Sequence, residues 1–226
     1  MTNILRLALA AVLAAASAMD AFAQAPDKSA AEVAAALQRK YDSIRDFSAD
    51  FTHQHQSGVL RRKVVEQGSL LVKKPGKMRW EYKSPEKKLF VSDGKRIYFH
   101  DPAANQVTIS DMPKGDEAAS AALFLTGQGN LTRDFTASFL DGASAADGAY
   151  AVRLQPRTRQ PEYDWLEIVV DRDTLLIQTL TAAEKDGGRS TFLFSRFKEN
   201  IGVGDKPFEF EIPRGAEVIH AGRAKF

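Results

Sequence analysis

The chain has 226 residues, a formal charge of +2, 44% apolar and 27% charged residues, which are the proportions of one globular domain with a substantial core. Its 31 basic and 29 acidic residues are interspersed, so its overall field gives little attraction for polyanions, despite a sequence pI near 8.7. It contains no cysteine, which excludes disulfides, thiol nucleophiles, sulfur-ligated metals and a lipid anchor on cysteine.

The first stretch, MTNILRLALAAVLAAASAMDAFAQ, has an early cation at Arg6, an apolar run from Leu7 to about Ala16, and Ala21-Phe22-Ala23 before Gln24. This three-part pattern predicts a cleaved export signal over 1–23 and a single mature domain over 24–226. The run is too short to span a bilayer, and no later segment could, so the mature chain is expected to be exported and soluble.

Ser29-Ala30-Ala31-Glu32 is a capping box, and Val33, Ala36, Leu37, Tyr41 and Ile44 recur on one face behind it. They predict an amphipathic helix ending near Ile44. From Phe47 the period changes to two, and strands are expected at about 47–56, 64–73, 78–83, 87–92, 96–100, 106–110, 134–140, 149–155, 163–171, 175–184, 189–199 and 207–212. Pro75-Gly76, Asp93-Gly94, Asp101-Pro102, Asp147-Gly148 and Gly187-Gly188 supply turns between them. Between the strands near 110 and 134, an alanine-rich segment with Leu123, Phe124 and Leu125 predicts a second helix ending at Gly127. A short third helix is expected at Asn130 to Arg133.

About a dozen successive short strands imply one large antiparallel meander, curved or closed. A sheet of that width has a broad concave face, and two or three short helices are all that is available to cover it. Either side chains fill the space or a ligand does.

The supply of reactive groups is thin. His53 and His55, two apart on a strand, share a face as metal ligands can, but no third-ligand pattern accompanies them. Nucleophile-elbow and phosphate-loop motifs are absent, and Gly127-Gln-Gly129 and Gly202-Val-Gly204 read as turns. Asp171 and Asp173 flank Arg172 in a hairpin, where aspartates build turns. No catalytic residue, metal site or cofactor is expected, and the chain is read as a non-enzyme.

One stretch, KKPGKMRWEYKSP from Lys73 to Pro85, has the composition of a nucleic-acid surface. A binding platform needs its cations and aromatics on the same face. Here Met78, Trp80 and Tyr82 alternate with Arg79, Glu81 and Lys83, which separates the two groups, so no nucleic-acid partner is expected. Upstream, Leu70 and Val72 share one face, with Ser69, Leu71 and Lys73 on the other.

The same residues carry a family likeness. GSLLVKKPGKMRWEYKSPEKKLFVSDGKRIYFHDPAANQVTI, Gly68 to Ile109, resembles the core of the LolA family of periplasmic outer-membrane lipoprotein carriers. YAVRLQP at Tyr150 to Pro156 and PFEFEIPRGAEVI at Pro207 to Ile219 extend the likeness over nearly all of the mature chain. The resemblance implies an incomplete antiparallel β-barrel of about eleven strands, with two to three short helices as a lid over an apolar cavity. It also implies a monomeric periplasmic carrier that accepts triacylated lipoproteins from an ATP-driven inner-membrane complex and passes them to an outer-membrane receptor. The alternative within the same fold is a lipid-binding or regulatory envelope protein that senses lipoproteins or binds a protein partner.

On this likeness the cavity would be lined by Leu37, Tyr41 and Ile44 from the lid and Phe47, Phe51, Leu70, Val72, Met78, Trp80, Tyr82 and Phe90 from the sheet. Lys74 stands where the family often has an arginine that bonds the lid and holds the empty cavity closed. Lysine keeps that charge but lacks the planar fork of donors. Met78 stands where an aromatic is common.

Overall fold

The computed structural model describes residues 28–59, 61–112, 124–140 and 148–223; the export signal and most of the alanine-rich segment lie outside these residues. Helix α1 (Ala30–Ser43) begins at the predicted capping box, where the Ser29 hydroxyl accepts from the Glu32 N–H and the Ser29 N–H donates to the Glu32 carboxylate at 2.7 Å. It buries Val33, Leu37 and Tyr41, and Ile44 caps its end.

Six strands follow: β1 (Asp46–Gln56), β2 (Lys63–Lys73), β3 (Lys77–Ser84), β4 (Lys88–Asp93), β5 (Arg96–Asp101) and β6 (Gln106–Asp111). Helix α2 (Leu131–Asp134), capped by the Asn130 side chain, leads into β7 (Phe135–Phe139), β8 (Ala149–Pro156), β9 (Tyr163–Asp171), β10 (Ile177–Glu184), β11 (Arg189–Glu199) and β12 (Glu217–Arg223). Of the second predicted helix, Phe124 and Leu125 are described; both are helical and buried, and Gly127 turns the chain as expected.

All twelve strands form one sheet in the order β12-β6-β5-β4-β3-β2-β1-β11-β10-β9-β8-β7, with β12 and β7 as its two edges. Two meanders, β2 to β6 and β7 to β11, are joined through β1, which pairs with β2 on one side and β11 on the other. Every ladder is antiparallel except that of β12 with β6. The open antiparallel barrel is as expected, with twelve strands among the described residues where the resemblance implied about eleven.

The register sets which residues face inward. Phe47 lies opposite Val72, Ala49 opposite Leu70 and Phe51 opposite Gly68, while Met78, Trp80 and Tyr82 follow across the next ladder. At Gly68 a Cβ would lie 2.5 Å from the Phe51 ring and 2.2 Å from the Glu81 carbonyl oxygen, so the missing side chain is what lets that ring lie across the sheet. Bulges, such as that between β1 and β11 near Ser48 and Asp50, add the local twist that curves the sheet.

One predicted strand is corrected. Residues 207–212 form no ladder: Lys206–Phe208 is a 3-10 turn, and the chain then runs across the convex face until β12 begins at Glu217. The alternation that suggested a strand is real, because Phe208 is buried and Phe210 stacks on Tyr98 at 5.2 Å while Glu209 and Glu211 are exposed. It reflects packing onto the sheet's outer face rather than pairing within it, and Pro207 and Pro213 have no N–H to give a ladder. The strap is tied down by Asp205, whose carboxylate accepts from Lys73 at 2.7 Å and Lys77 at 2.8 Å.

The main core is therefore the concave side, roofed by α1, and a smaller cluster of Tyr98, Val107 and Ile109 lies beneath the strap. Substituting Gly68→Ala should lower stability by about 1–3 kcal/mol, the usual cost of overpacking, because the Glu81 backbone cannot move aside cheaply. Urea denaturation of the variant against the parent chain measures it.

Candidate functional site

The structure gathers every residue expected to line the cavity. Leu37, Tyr41, Ile44, Phe47, Phe51, Leu70, Val72, Met78, Trp80 and Tyr82 belong to one buried cluster, and Phe90 packs against it. The aromatic members interlock edge to face, with Phe51 at 5.1 Å from Trp80 and 4.9 Å from Tyr82.

Strand β11 adds rings that the sequence reading passed over. Phe194 lies opposite Phe51, Phe192 lies opposite His53, and Phe197 stacks on Phe47 at 4.6 Å. Phe192 and Phe194 follow strict alternation and could have been read as inward. Phe197 is out of phase with them, and the β1/β11 irregularity, with Arg196 at a left-handed φ of 51°, restores it to the same face.

Over β7 to β10 the roof and wall are in contact. Leu37, Phe124 and Leu131 above and Leu154, Ile168 and Leu180 below leave a cavity of about 10 Å³, the least that one water requires. On this side of the sheet the helices and the wall fill the space between them.

The end of α1 makes polar contacts with both halves of the sheet. The Tyr41 hydroxyl accepts from the Ile177 N–H at 3.3 Å, and its ring packs 5.0 Å from that of Phe124. Burial pushes the Tyr41 phenol well above its usual range, so it stays neutral. Lys74 reaches the same place from the sheet: its Nζ donates to the Tyr41 carbonyl and lies 5.9 Å from the ring centroid. The same carbonyl accepts from the Ile44 N–H at 3.1 Å, and a cation at a helix C-terminus meets the negative end of the dipole.

The Lys74 stem also runs against Gly127, where a Cβ would come within 2.9 Å of it and where φ is +77°. Glycine is thus required there both by backbone conformation and by space. Through these contacts Lys74 touches α1 and the turn that follows Phe124 and Leu125. Burial lowers its ammonium pKa, opposed by the nearby Asp42 carboxylate.

Further along β1 the inward face turns polar. His53 Nδ1 lies 3.1 Å from Glu66 Oε2 and His53 Nε2 lies 2.8 Å from Ser190 Oγ, while the ring stacks on Phe192 at 4.2 Å. His55 is 3.5 Å from Glu184, and Lys88 donates to Glu66 at 2.9 Å. His53 and His55 do share a face, but among the described residues no group of three potential ligands could hold a metal ion. Asp171 is a turn builder, accepting from the N–H groups of Asp173 and Thr174.

The convex face has a different chemistry. A groove of about 450 Å³ there is bordered by Ser69, Arg79, Glu81, Arg196, Lys198 and Pro207, too rich in charge to hold an apolar chain.

A sheet open at both edges, with a helix packed over part of its apolar concave face, defines a lidded half-barrel. The family model "Outer membrane lipoprotein carrier protein LolA" matches residues 42–211, and the chain belongs to that family. An outer-membrane lipoprotein carrier protein of Chromohalobacter salexigens is 29% identical over 201 residues, covering 88% of this chain and 90% of that protein. One from Methylococcus capsulatus is 28% identical, covering 81% and 85% respectively. Among solved structures, an uncharacterized conserved protein from Thermus thermophilus aligns with a TM-score of 0.53 at 12% identity, over 84% of this chain and 98% of that one, which shows a shared fold.

Two outcomes test the site's energetics. Tyr41→Phe leaves the Ile177 N–H buried without its acceptor and should cost about 1–3 kcal/mol in thermal or urea unfolding. The second concerns pH. Burial holds the His53 pKa below its ordinary value, against the opposing pull of Glu66, with His55 and Lys88 lowering it further. The unfolded chain then binds the extra proton first, so this residue's effect on stability is level above about pH 7 and is lost as pH falls through about 6.5. In His53→Phe the slope of stability below about pH 6.5 should become shallower, as chemical denaturation at a series of pH values would record.

Proposed function

We propose that the chain is a periplasmic carrier, not an enzyme, which takes triacylated lipoproteins from an ATP-driven inner-membrane complex and hands them to an outer-membrane receptor. The observation that carries this reading is the apolar concave wall with helix α1 packed against it, in a chain of the lipoprotein carrier family. Acyl chains would take the place of Leu37, Tyr41 and Ile44 against Phe47, Phe51, Leu70, Val72, Met78, Trp80, Tyr82 and Phe90.

The energetics set the direction of traffic. At about 0.8 kcal/mol per methylene, removing one acyl chain of about sixteen carbons from a bilayer into water costs roughly 12 kcal/mol. A carrier must match much of that with apolar surface, and the chain has no phosphate-loop motif with which to drive loading itself. Release from the inner membrane is therefore driven by the partner complex, and delivery runs toward a better-binding receptor.

Lys74 is the latch in this scheme. With its bond to the Tyr41 carbonyl intact, the lid returns to the wall and helps expel cargo. When purified mature chain is added to spheroplasts making a labelled outer-membrane lipoprotein, a soluble complex of about one to one should appear in the supernatant; lipoprotein left wholly on the membrane would contradict the reading. Lys74→Leu should load comparably but pass its cargo to acceptor membranes at least about tenfold more slowly, the scale set by one charged hydrogen bond. Unaltered delivery would remove the latch role.

A further inference from the structure

The inward wall changes chemistry abruptly at one end. On β1 the rings of Phe47 and Phe51 give way to His53 and His55, and on the facing β2 Leu70 and Gly68 give way to Glu66, which lies opposite His53. Across β3 and β4, Trp80 pairs with Phe90, and the next inward pair is Tyr82 with Lys88. Helix α1 packs chiefly on α2, β7 and β8, in the other half of the sheet. The aromatic wall of β1 to β4 therefore runs from under the lid to a polar end that α1 does not roof.

These polar groups are one connected system. A carboxylate can only accept, so His53 donates from Nδ1 to Glu66 and accepts at Nε2 from the Ser190 hydroxyl. The His53 and Glu66 side chains are only 14% and 11% exposed, so both are fixed in place. Glu66 in turn holds Lys88 at 2.9 Å, with Glu86 at 3.5 Å on the other side. An ammonium has three donors, and two carboxylates leave one for an acceptor brought by a ligand. Those same carboxylates already balance the lysine's charge, so the position suits a neutral carbonyl better than a phosphate.

We propose that Lys88, positioned by Glu66, His53 and Ser190, receives the ester or amide carbonyls that join acyl chains to their head group, while the chains lie along the Phe51, Trp80 and Phe192 wall. This rests on the carrier reading and adds to it a polar subsite that selects the linkage rather than the hydrocarbon. Lys88 is the ligand-touching group, and Glu66, His53 and Ser190 are positioning residues.

The test uses the full mature chain and two probes with equal hydrocarbon: a cysteinyl peptide bearing a glyceryl group with two ester-linked palmitoyl chains, and its counterpart with two ether-linked hexadecyl chains. The parent chain should bind the ester probe about tenfold more tightly, the scale of one hydrogen bond from a charged donor. Lys88→Met should bring the ratio to about one without weakening the ether probe, and Lys88→Arg should retain the preference. A parent chain that binds both probes equally, or a Lys88→Met chain that keeps the preference, overturns the subsite and leaves the carrier reading standing. Binding of neither probe by the folded parent chain overturns both.

Discussion

Twelve strands that stop short of closure leave a concave face of aromatic and aliphatic side chains that must be kept from water, and almost everything else follows from how that face is covered. Helix α1 covers part of it with residues that are nearly inaccessible, Leu37 and Ile44 at 0% and Tyr41 at 1% exposure. At about 1.5–3 kcal/mol for each large apolar side chain, lifting these three away costs roughly 5–9 kcal/mol before any polar contact is counted. One acyl chain is worth roughly 12 kcal/mol on the same scale, so under the proposed carrier function cargo would outcompete the lid, and the lid's return would offset a large part of the cost of letting cargo go.

Polar contacts determine where this exchange is poised. The Tyr41 carbonyl accepts from Lys74, the Tyr41 hydroxyl accepts from the Ile177 N–H, and the Lys74 stem fits against Gly127. Each is worth little beside the apolar terms, but the first two converge on the last turn of one helix and bind it to opposite halves of the sheet, and the third fixes the Lys74 stem. The convex side is fixed by other means: the strap lays Phe208 and Phe210 on the outer face and is held by Asp205 between Lys73 and Lys77. Movement of α1 thus need not disturb the sheet's outer layer.

Much of this was legible in the sequence because alternation and capping are local. The capping box at Ser29 and Glu32, the inward set on β1 to β3, and eleven of the strands stand where their patterns put them. The failures have physical causes. At 207–212 alternation came from packing onto a sheet without pairing to it, and a ladder cannot be told from a packed strap by side-chain period alone. The parallel pairing of β12 with β6 depends on where the strap ends across the molecule, which no local signal records. Phe197 was hidden because a bulge changes the phase of β11. Lys74 could be singled out by its place in a family pattern, but that its partner is a helix carbonyl is visible only in three dimensions.

The central claim is that α1 must leave the concave face for cargo to enter. Lys40 on α1 and Glu199 at the end of β11 form an ion pair at 2.8 Å, outside the apolar wall, and the chain has no cysteine of its own. Replacing both by cysteine and joining them with a short, cleavable thiol crosslinker would hold the helix down, and the spheroplast assay then measures lipoprotein uptake before and after cleavage. The account predicts little uptake while the bridge is intact and recovery to the parent level once it is cut. Uptake at the parent level with the bridge intact would mean that cargo is bound elsewhere or enters without moving α1.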